Sequence, residues 1–310
     1  MRYLIIHNLS SGPCSNEIMD FIHAIGESGD EIILRYLGES FEADEVTTDA
    51  EKFDRIVVSG GDGTVSNIIC HLKGCNVPIL IFPSGTANLL FNNIGNSTEP
   101  AALAQACKDG NYVNADLGEM WWEDCNGKEQ RHTFSIIAGS GFDAAIMGKA
   151  ENLKSDFGEL AYFIAALGTP SPTITHFTIE HDGITEECDG IGIMAANTSR
   201  MQGDISIIPG SSMVDGLLDI AVIDPIPTVR LLPTVIAGIL DPDGYSLGRP
   251  QMKIFKTRQA TITCSPSLDI QYDGEVISNP GKKFYVKVCP KCVKFIVDKF
   301  ASLKPNNLSN

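Results

Sequence analysis

The chain has 310 residues and a formal net charge of −16. Its 43% hydrophobic and 20% charged residues describe a soluble globular protein with ample core, and its length suggests two domains or one large one. The acidic balance argues against nucleic acid as a partner, which needs a basic face, and nine cysteines, an odd number, fit reduced thiols in a cytoplasm better than a disulfide framework.

Met1–Asn8 carries an apolar run too short for the core of a signal peptide, and residues 3–7 read as a first strand. The loop Asn8-Leu9-Ser10-Ser11-Gly12-Pro13 follows. Ile18, Phe21, Ile22 and Ile25 then fall on one helical face, with Asn16 placed to cap it. Residues 31–36 are expected to form a strand, and an acidic stretch runs from Glu39 to Glu51.

Residues 53–58 form an apolar run that reads as a buried strand, and Val65, Ile68, Ile69 and Leu72 have the spacing of a helix packed back on it. Between them stands Ser59-Gly60-Gly61-Asp62-Gly63-Thr64. Glycines let a backbone approach a ligand closely, and N–H groups at a helix start suit phosphate. The turn therefore suggests a nucleotide phosphate site, with a tight turn capped by Asp62 as the equal alternative. It lacks the Gly-Lys-Ser/Thr of a Walker A loop and the G-x-G-x-x-G spacing of a dinucleotide fingerprint. A further strand over 77–82 ends at Pro83-Ser84-Gly85-Thr86, and Pro100 opens a helix through Cys107 in its tolerated first-turn position. This alternation predicts a parallel sheet with helices on both faces.

Beyond Val113 the pattern changes. Asn126-Gly127 and Asp182-Gly183 each lie between strand-like runs and signal hairpins. Runs at 191–195, 217–223, 260–264 and 284–288 add strands, so this part is expected to be a mostly antiparallel, sandwich-like β domain. A helical insert over 153–167 interrupts it. Residues 231–240 are the longest apolar run, broken by Pro233 and short of membrane-spanning length. The lone Cys289-Pro290-Lys291-Cys292 lacks a second ligand pair and reads as structural. Ile296, Val297 and Phe300 fall at helical spacing in the last run. The expected organisation is an α/β nucleotide-binding domain over 1–120 and a β-rich domain over 121–292, with 293–310 returning to pack on the first.

Charge is unevenly spread. Residues 249–304 hold eleven Lys and Arg against four acids, a net of +7, leaving −23 for the remainder. One reading is a solvated face; the sharper one is a surface that approaches anionic lipid, where each nearby Lys is worth about 1 kcal/mol.

Three further short motifs accompany the glycine turn: Pro83-Ser84-Gly85-Thr86-Ala87-Asn88, Val214-Asp215-Gly216-Leu217-Leu218-Asp219 and Tyr272-Asp273-Gly274-Glu275. Singly, each reads as a turn, a cap or a hairpin. In this order they resemble the bacterial soluble diacylglycerol kinases, a family of lipid kinases whose catalytic domain sphingosine and ceramide kinases share. Asn8–Gly12 is similar to the family's N-P-x-S-G, Gly60–Thr64 to G-G-D-G-T, Pro83–Asn88 to P-x-G-T-x-N, and Lys154–Tyr162 to K-x-x-x-G-x-x-A-Y. Asp215-Gly216 and Asp273-Gly274-Glu275 match its D-G and D-G-E. Leu9, Ser66, Leu89 and Phe91-Asn92 depart from the pattern and leave the lipid class open.

The resemblance implies ATP and magnesium as cofactors. Gly60, Gly61 and Gly63 would bring N–H groups to the phosphates, Asn8, Ser10, Thr64 and Thr86 would add polar contacts, and Asp62 would help position the phosphates. Asp215 with carbonyls near Ser212 and Leu217 would form a metal site. Glu275 would take the proton of the acceptor hydroxyl, with Asp273 as the runner-up base or a second metal contact. The acceptor would be a membrane lipid such as diacylglycerol, met by a cytoplasmic protein in transient membrane association, and a homodimer is allowed. The alternatives are an NAD kinase-like enzyme and a nucleotide-binding regulatory protein of weak activity.

Overall fold

A computed structural model describes residues 1–11, 16–38, 40–124, 126–141, 172–201, 206–278 and 280–304. The expected helical insert over 153–167, with the motif Lys154–Tyr162, lies outside the described residues, as does Gly12. The chain divides into two compact units: Met1–Asp116 with the segment from Pro290 onward, and Leu117–Cys289.

The first unit alternates strand and helix. In order come β1 (Arg2–Asn8), α1 (Glu17–Ile25), β2 (Glu31–Leu37), α2 (Ala43–Thr47), a 3-10 turn at Ala50–Lys52, β3 (Arg55–Gly60), α3 (Asp62–His71), β4 (Ile79–Pro83), α4 (Leu89–Ile94) and α5 (Pro100–Asp109). The strands pair parallel in the order β2-β1-β3-β4. Leu4, Ile5, Ile6, Ile56, Val57, Val58, Ile79 and Leu80 are all fully buried, as strands covered on both faces require. Helix α1 buries Ile18, Phe21 and Ile25, and Phe21 meets Phe82 edge-on at 5.3 Å. Asn16 does precede α1, but its side chain makes no capping hydrogen bond; its backbone carbonyl accepts from Met19 and Asp20 instead.

The second unit is antiparallel. Strand β5 (Tyr112–Glu123) leads from the first unit into a hairpin with β6 (Glu129–Phe134). It is followed by β7 (Ile137–Gly141), β8 (Thr175–His181), β9 (Ile184–Gly190), β10 (Gly192–Ala196), β11 (Leu218–Ile223), helix α6 (Leu232–Leu240), β12 (Met252–Thr257), β13 (Gln259–Ser265), β14 (Ile270–Tyr272), β15 (Glu275–Ile277) and β16 (Lys283–Ile296). One sheet carries β16, β13, β8 and β9 side by side; the other has the order β12-β11-β10-β7-β14-β15. Phe177, Ile179, Ile262 and Val286 from the first pack with Ile193, Ile220, Ala138 and Ile270 from the second in one buried cluster, which makes the unit a β sandwich. The two expected hairpin turns are present, with Gly127 at φ 74° and Asp182-Gly183 at φ 49° and 77°.

The last apolar run is a strand where its spacing suggests a helix. β16 ends at Ile296, and its Phe295 pairs parallel with Ile79 of β4. Val293, Phe295 and Ile296 are buried there. Burying an apolar side chain is worth about 1.5–3 kcal/mol, more than helix propensity can return per residue, so the edge of β4 decides the conformation.

Candidate functional site

The order β2-β1-β3-β4 places a topological switch point between β1 and β3, since the chain leaves β1 toward β2 and returns on its other side as β3. In open α/β sheets, ligands bind outside the carboxyl ends of the strands at such a point. Three loops converge there. Asn8, the last residue of β1, donates its side-chain amide to the Thr64 hydroxyl at 2.7 Å, and its Oδ1 accepts the Ser10 N–H at 2.9 Å. The Ser11 hydroxyl accepts the Gly61 N–H at 2.9 Å. Asp62 accepts the N–H groups of Asn88 and Leu89 at 3.1 and 2.5 Å. Asn88, held at φ 50°, clasps Gly85 with both ends of its amide, each bond 2.8 Å.

Glycine is required where these loops meet. A Cβ on Gly85 would lie 2.8 Å from Gly61 Cα, and one on Gly60 would lie 2.7 Å from Thr64 Cγ2. Gly61 spends its N–H on Ser11, so the N–H groups the turn presents at the start of α3 are those of Gly63 and Thr64. These have no intrahelical acceptor and sit at the positive end of a ten-residue helix. Asp62 is a cap, as the alternative reading of the turn has it, but of α4 in the next loop rather than of its own helix. Thr86 is exposed on the Gly85–Asn88 loop, and Ser10 is exposed after β1. Beneath them His7 Nδ1 contacts Ser59 Oγ at 2.8 Å, and Ser59 contacts Ser84 Oγ at 2.6 Å; burial pushes the His7 pKa below its ordinary value.

In the second unit, Asp273 and Glu275 share the β14–β15 turn and differ in what their carboxylates can do. Asp273 accepts the Ser135 N–H and hydroxyl at 2.6 and 2.9 Å and the N–H groups of Ile136 and Ile137 at 2.9 and 3.1 Å. These four donors make it a clamp on the approach to β7. Glu275 is exposed and accepts the Tyr272 hydroxyl at 2.9 Å. The Tyr272 ring stacks on His132 at 4.6 Å, and His132 stacks on Trp122 at 5.3 Å. Burial lowers the His132 pKa, opposed by the nearby charge of Glu275.

Asp215 lies in the loop before β11, where its Oδ1 accepts the Leu217 N–H at 3.0 Å. Its Oδ2 is 2.7 Å from the Lys256 ammonium, which also stands 3.4 Å from Asp219 Oδ1 and 3.1 Å from the Gly210 carbonyl. Asp219 is almost fully buried, and burial pushes its pKa up against the pull of Lys256. Burial pulls Lys256 down, but its bonds to Asp215 and Asp219 carry the net shift upward. Two carboxylates and a carbonyl converging on a cation are the hard oxygens magnesium takes, so the donor chemistry fits. Ser212 and Leu217 flank Asp215 in the same loop. Among the described residues no cluster of three or more His, Cys, Asp or Glu is poised for a metal.

Sequence reasoning missed Ser11, Lys256 and the Trp122–His132–Tyr272 stack. Ser11 and Tyr272 stand inside recognised motifs, but Lys256, Trp122 and His132 carry no local pattern and are brought in by strand pairing. The basic run 249–304 is not one solvated face. Arg249 is buried against the carbonyls of Ser206, Ile207, Asp241, Pro242 and Gly248, and Lys253 and Lys256 are paired with acids. Among the described residues no helix is long and apolar enough to cross a membrane.

Residues 2–120 match the diacylglycerol kinase catalytic domain, and residues 136–297 match the YegS C-terminal NAD kinase beta sandwich-like domain. A diacylglycerol kinase of Mycobacterium tuberculosis is 30% identical over 237 residues, covering 73% of this chain and 72% of the relative. A Bacillus anthracis protein described as a diacylglycerol kinase shares the fold, with a TM-score of 0.73 at 21% identity over 96% of this chain and 97% of its own. Yeast NADH kinase, solved with NADH, is a more distant likeness of fold, with a TM-score of 0.57 at 14% identity over 99% of this chain and 85% of its own. Two domain matches in sequence order, with a relative matched over most of both chains, show that this protein belongs to the diacylglycerol kinase family of lipid kinases.

Proposed function

We propose that this protein transfers the γ-phosphate of magnesium-bound ATP to the hydroxyl of a membrane lipid such as diacylglycerol. The observation that carries the reading is the convergence of Asn8, Gly60–Thr64 and Gly85–Asn88 at the switch point, beside the N-terminus of α3. Phosphoryl transfer asks a protein chiefly for positioning and charge neutralisation. In this reading the N–H groups of Gly63 and Thr64, with the side chains of Asn8, Ser10 and Thr86, hold the phosphates. Asp62 sets the spacing of the two loops. Glu275, exposed and oriented by Tyr272, takes the proton of the attacking hydroxyl. A magnesium ion at Asp215 would neutralise the acids of its loop and order the chain around Ser212 and Leu217.

Contact with a lipid surface is supported by a second observation. Ile236, Ile239 and Leu240 on α6, with Tyr245 and Leu247 just beyond it, are exposed together. The Asp241 carboxylate accepts the N–H groups of Tyr245, Ser246 and Leu247, which holds the following turn in shape. An apolar helix face with an adjoining tyrosine suits the interfacial layer of a bilayer.

The test is to incubate the purified protein with labelled ATP, magnesium and mixed micelles of candidate lipids, and to identify the product by mass spectrometry. Labelled lipid is the expected result, and Glu275→Gln should lower transfer by roughly 10²–10⁴-fold with ATP binding intact. No product from diacylglycerol, monoacylglycerol, sphingoid base or phosphatidylglycerol would overturn the reading. NAD is included as an acceptor, because its phosphorylation would favour the kinase of dinucleotides that the yeast likeness represents in fold.

A further inference from the structure

We propose that the Lys256 ammonium is a tethered cation that occupies the oxygen cage of Asp215, Asp219 and the Gly210 carbonyl, and that it competes there with a divalent metal. The inference rests on the reading of Asp215 as a metal contact and adds what regulates that contact.

The cage is built by the fold. Asp219 and Lys256 are directly paired across β11 and β12, so strand register delivers the ammonium to this place. Asp219 is 2% exposed, and a carboxylate so far from water needs a counter-charge or a proton. Lys256 supplies that charge and reaches past Asp219 to Asp215 at 2.7 Å and Gly210 at 3.1 Å. The three oxygens come from the strand and from the loop before it, so one ammonium pins the loop to the sheet.

A divalent ion directly ligated by Asp215 Oδ2 would sit at about 2.0–2.6 Å from that oxygen, beside an ammonium bonded to the same atom. Two cations that close repel, so metal entry displaces Lys256. The side chain can leave: it is 35% exposed and rides on a flexible four-carbon stem. The metal-free chain thus keeps this loop in place, and metal affinity is lower than the oxygens alone would set it.

The experiment measures Mn²⁺ and Mg²⁺ binding by calorimetry on the full chain, without ATP or lipid, for wild type, Lys256→Met and Lys256→Met with Asp215→Asn. Lys256→Met is expected to bind Mn²⁺ about tenfold more tightly or better, the scale of removing one adjacent unit charge from a partly solvated site. Asp215→Asn should erase that gain. Equal or weaker binding by a folded Lys256→Met overturns the proposal, as does a gain that survives Asp215→Asn. Should Lys256→Met fail to fold, Lys256→Gln removes the charge while keeping a hydrogen-bond donor to Asp215, and the same comparison applies. Thermal melting in EDTA gives a second readout: the neutral variant should melt lower than wild type, and Mn²⁺ should restore it. The two readings fail separately. Tightened binding in a chain that transfers no phosphate sinks only the kinase reading, and an active lipid kinase with unchanged binding sinks only this one.

Discussion

The Asp62 carboxylate, set in the glycine turn after β3, accepts the backbone N–H of Asn88 in the loop after β4 at 3.1 Å. Its other oxygen accepts from Leu89 at 2.5 Å. One side chain therefore sets the spacing of two loops that the sheet brings side by side, and an acid in the motif has a structural duty whatever else it does.

Asp62→Ala is expected to destabilise the protein by about 1 kcal/mol, the usual cost of a lost N-terminal cap. Urea denaturation measures it directly. ATP affinity should fall in the same variant, because the Gly85–Asn88 loop loses its anchor to the glycine turn. Unchanged affinity would show that the cap serves stability alone.

Gly85→Ala tests the contact between the loops. The added Cβ would lie 2.8 Å from Gly61 Cα and 3.0 Å from Asn88 Oδ1. Backbone stands on one side, so the strain is not relieved by a rotamer change. Overpacking of this kind costs about 1–3 kcal/mol. ATP binding by calorimetry should weaken together with the melting temperature. Gly63→Ala is the control, since a Cβ there meets nothing within 4 Å, and its melting temperature should move far less.

Stability should fall in mild acid. Burial holds the pKa values of His7 and His132 below the ordinary 6.5. The unfolded chain then takes up protons near pH 6.5 that the folded chain refuses until lower pH. The contribution is present above pH 6.5 and is lost as pH falls below it through the folded values. Urea midpoints between pH 7.5 and 5 should decline, and His7→Gln should flatten part of the decline. A slope that ignores both histidines would remove them as its source.

The α/β character of the first unit and the β-rich character of the second were legible because they rest on local periodicity. The apolar run at 3–7, the Ile56-Val57-Val58 stretch of β3 and the turn pairs Asn126-Gly127 and Asp182-Gly183 each carry their conformation within a few residues. The glycine turn between β3 and α3 was legible for the same reason: strand, glycines and helix are contiguous. The end of β16 was not, since Ile296, Val297 and Phe300 permit a helix and only the edge of β4 makes a strand of residues 293–296.

What tertiary structure alone decided is the duty of each acid. Asp62, Asp215, Asp273 and Glu275 look alike in their short motifs. Asp62 meets Asn88 across 26 residues, Asp215 meets Lys256 across 41, and Asp273 meets Ser135 across 138. A carboxylate with four donors clamps, one beside an ammonium is neutralised, and one on the exposed side of the β14–β15 turn accepts a tyrosine hydroxyl. The sequence determined by itself the alternation of strand and helix in the first unit and the hairpin turns of the second, because those follow from neighbours in the chain. Partners supplied by sheet register decided the chemistry of the acids, because a charge answers to whatever lies within a few ångströms, however far away in sequence.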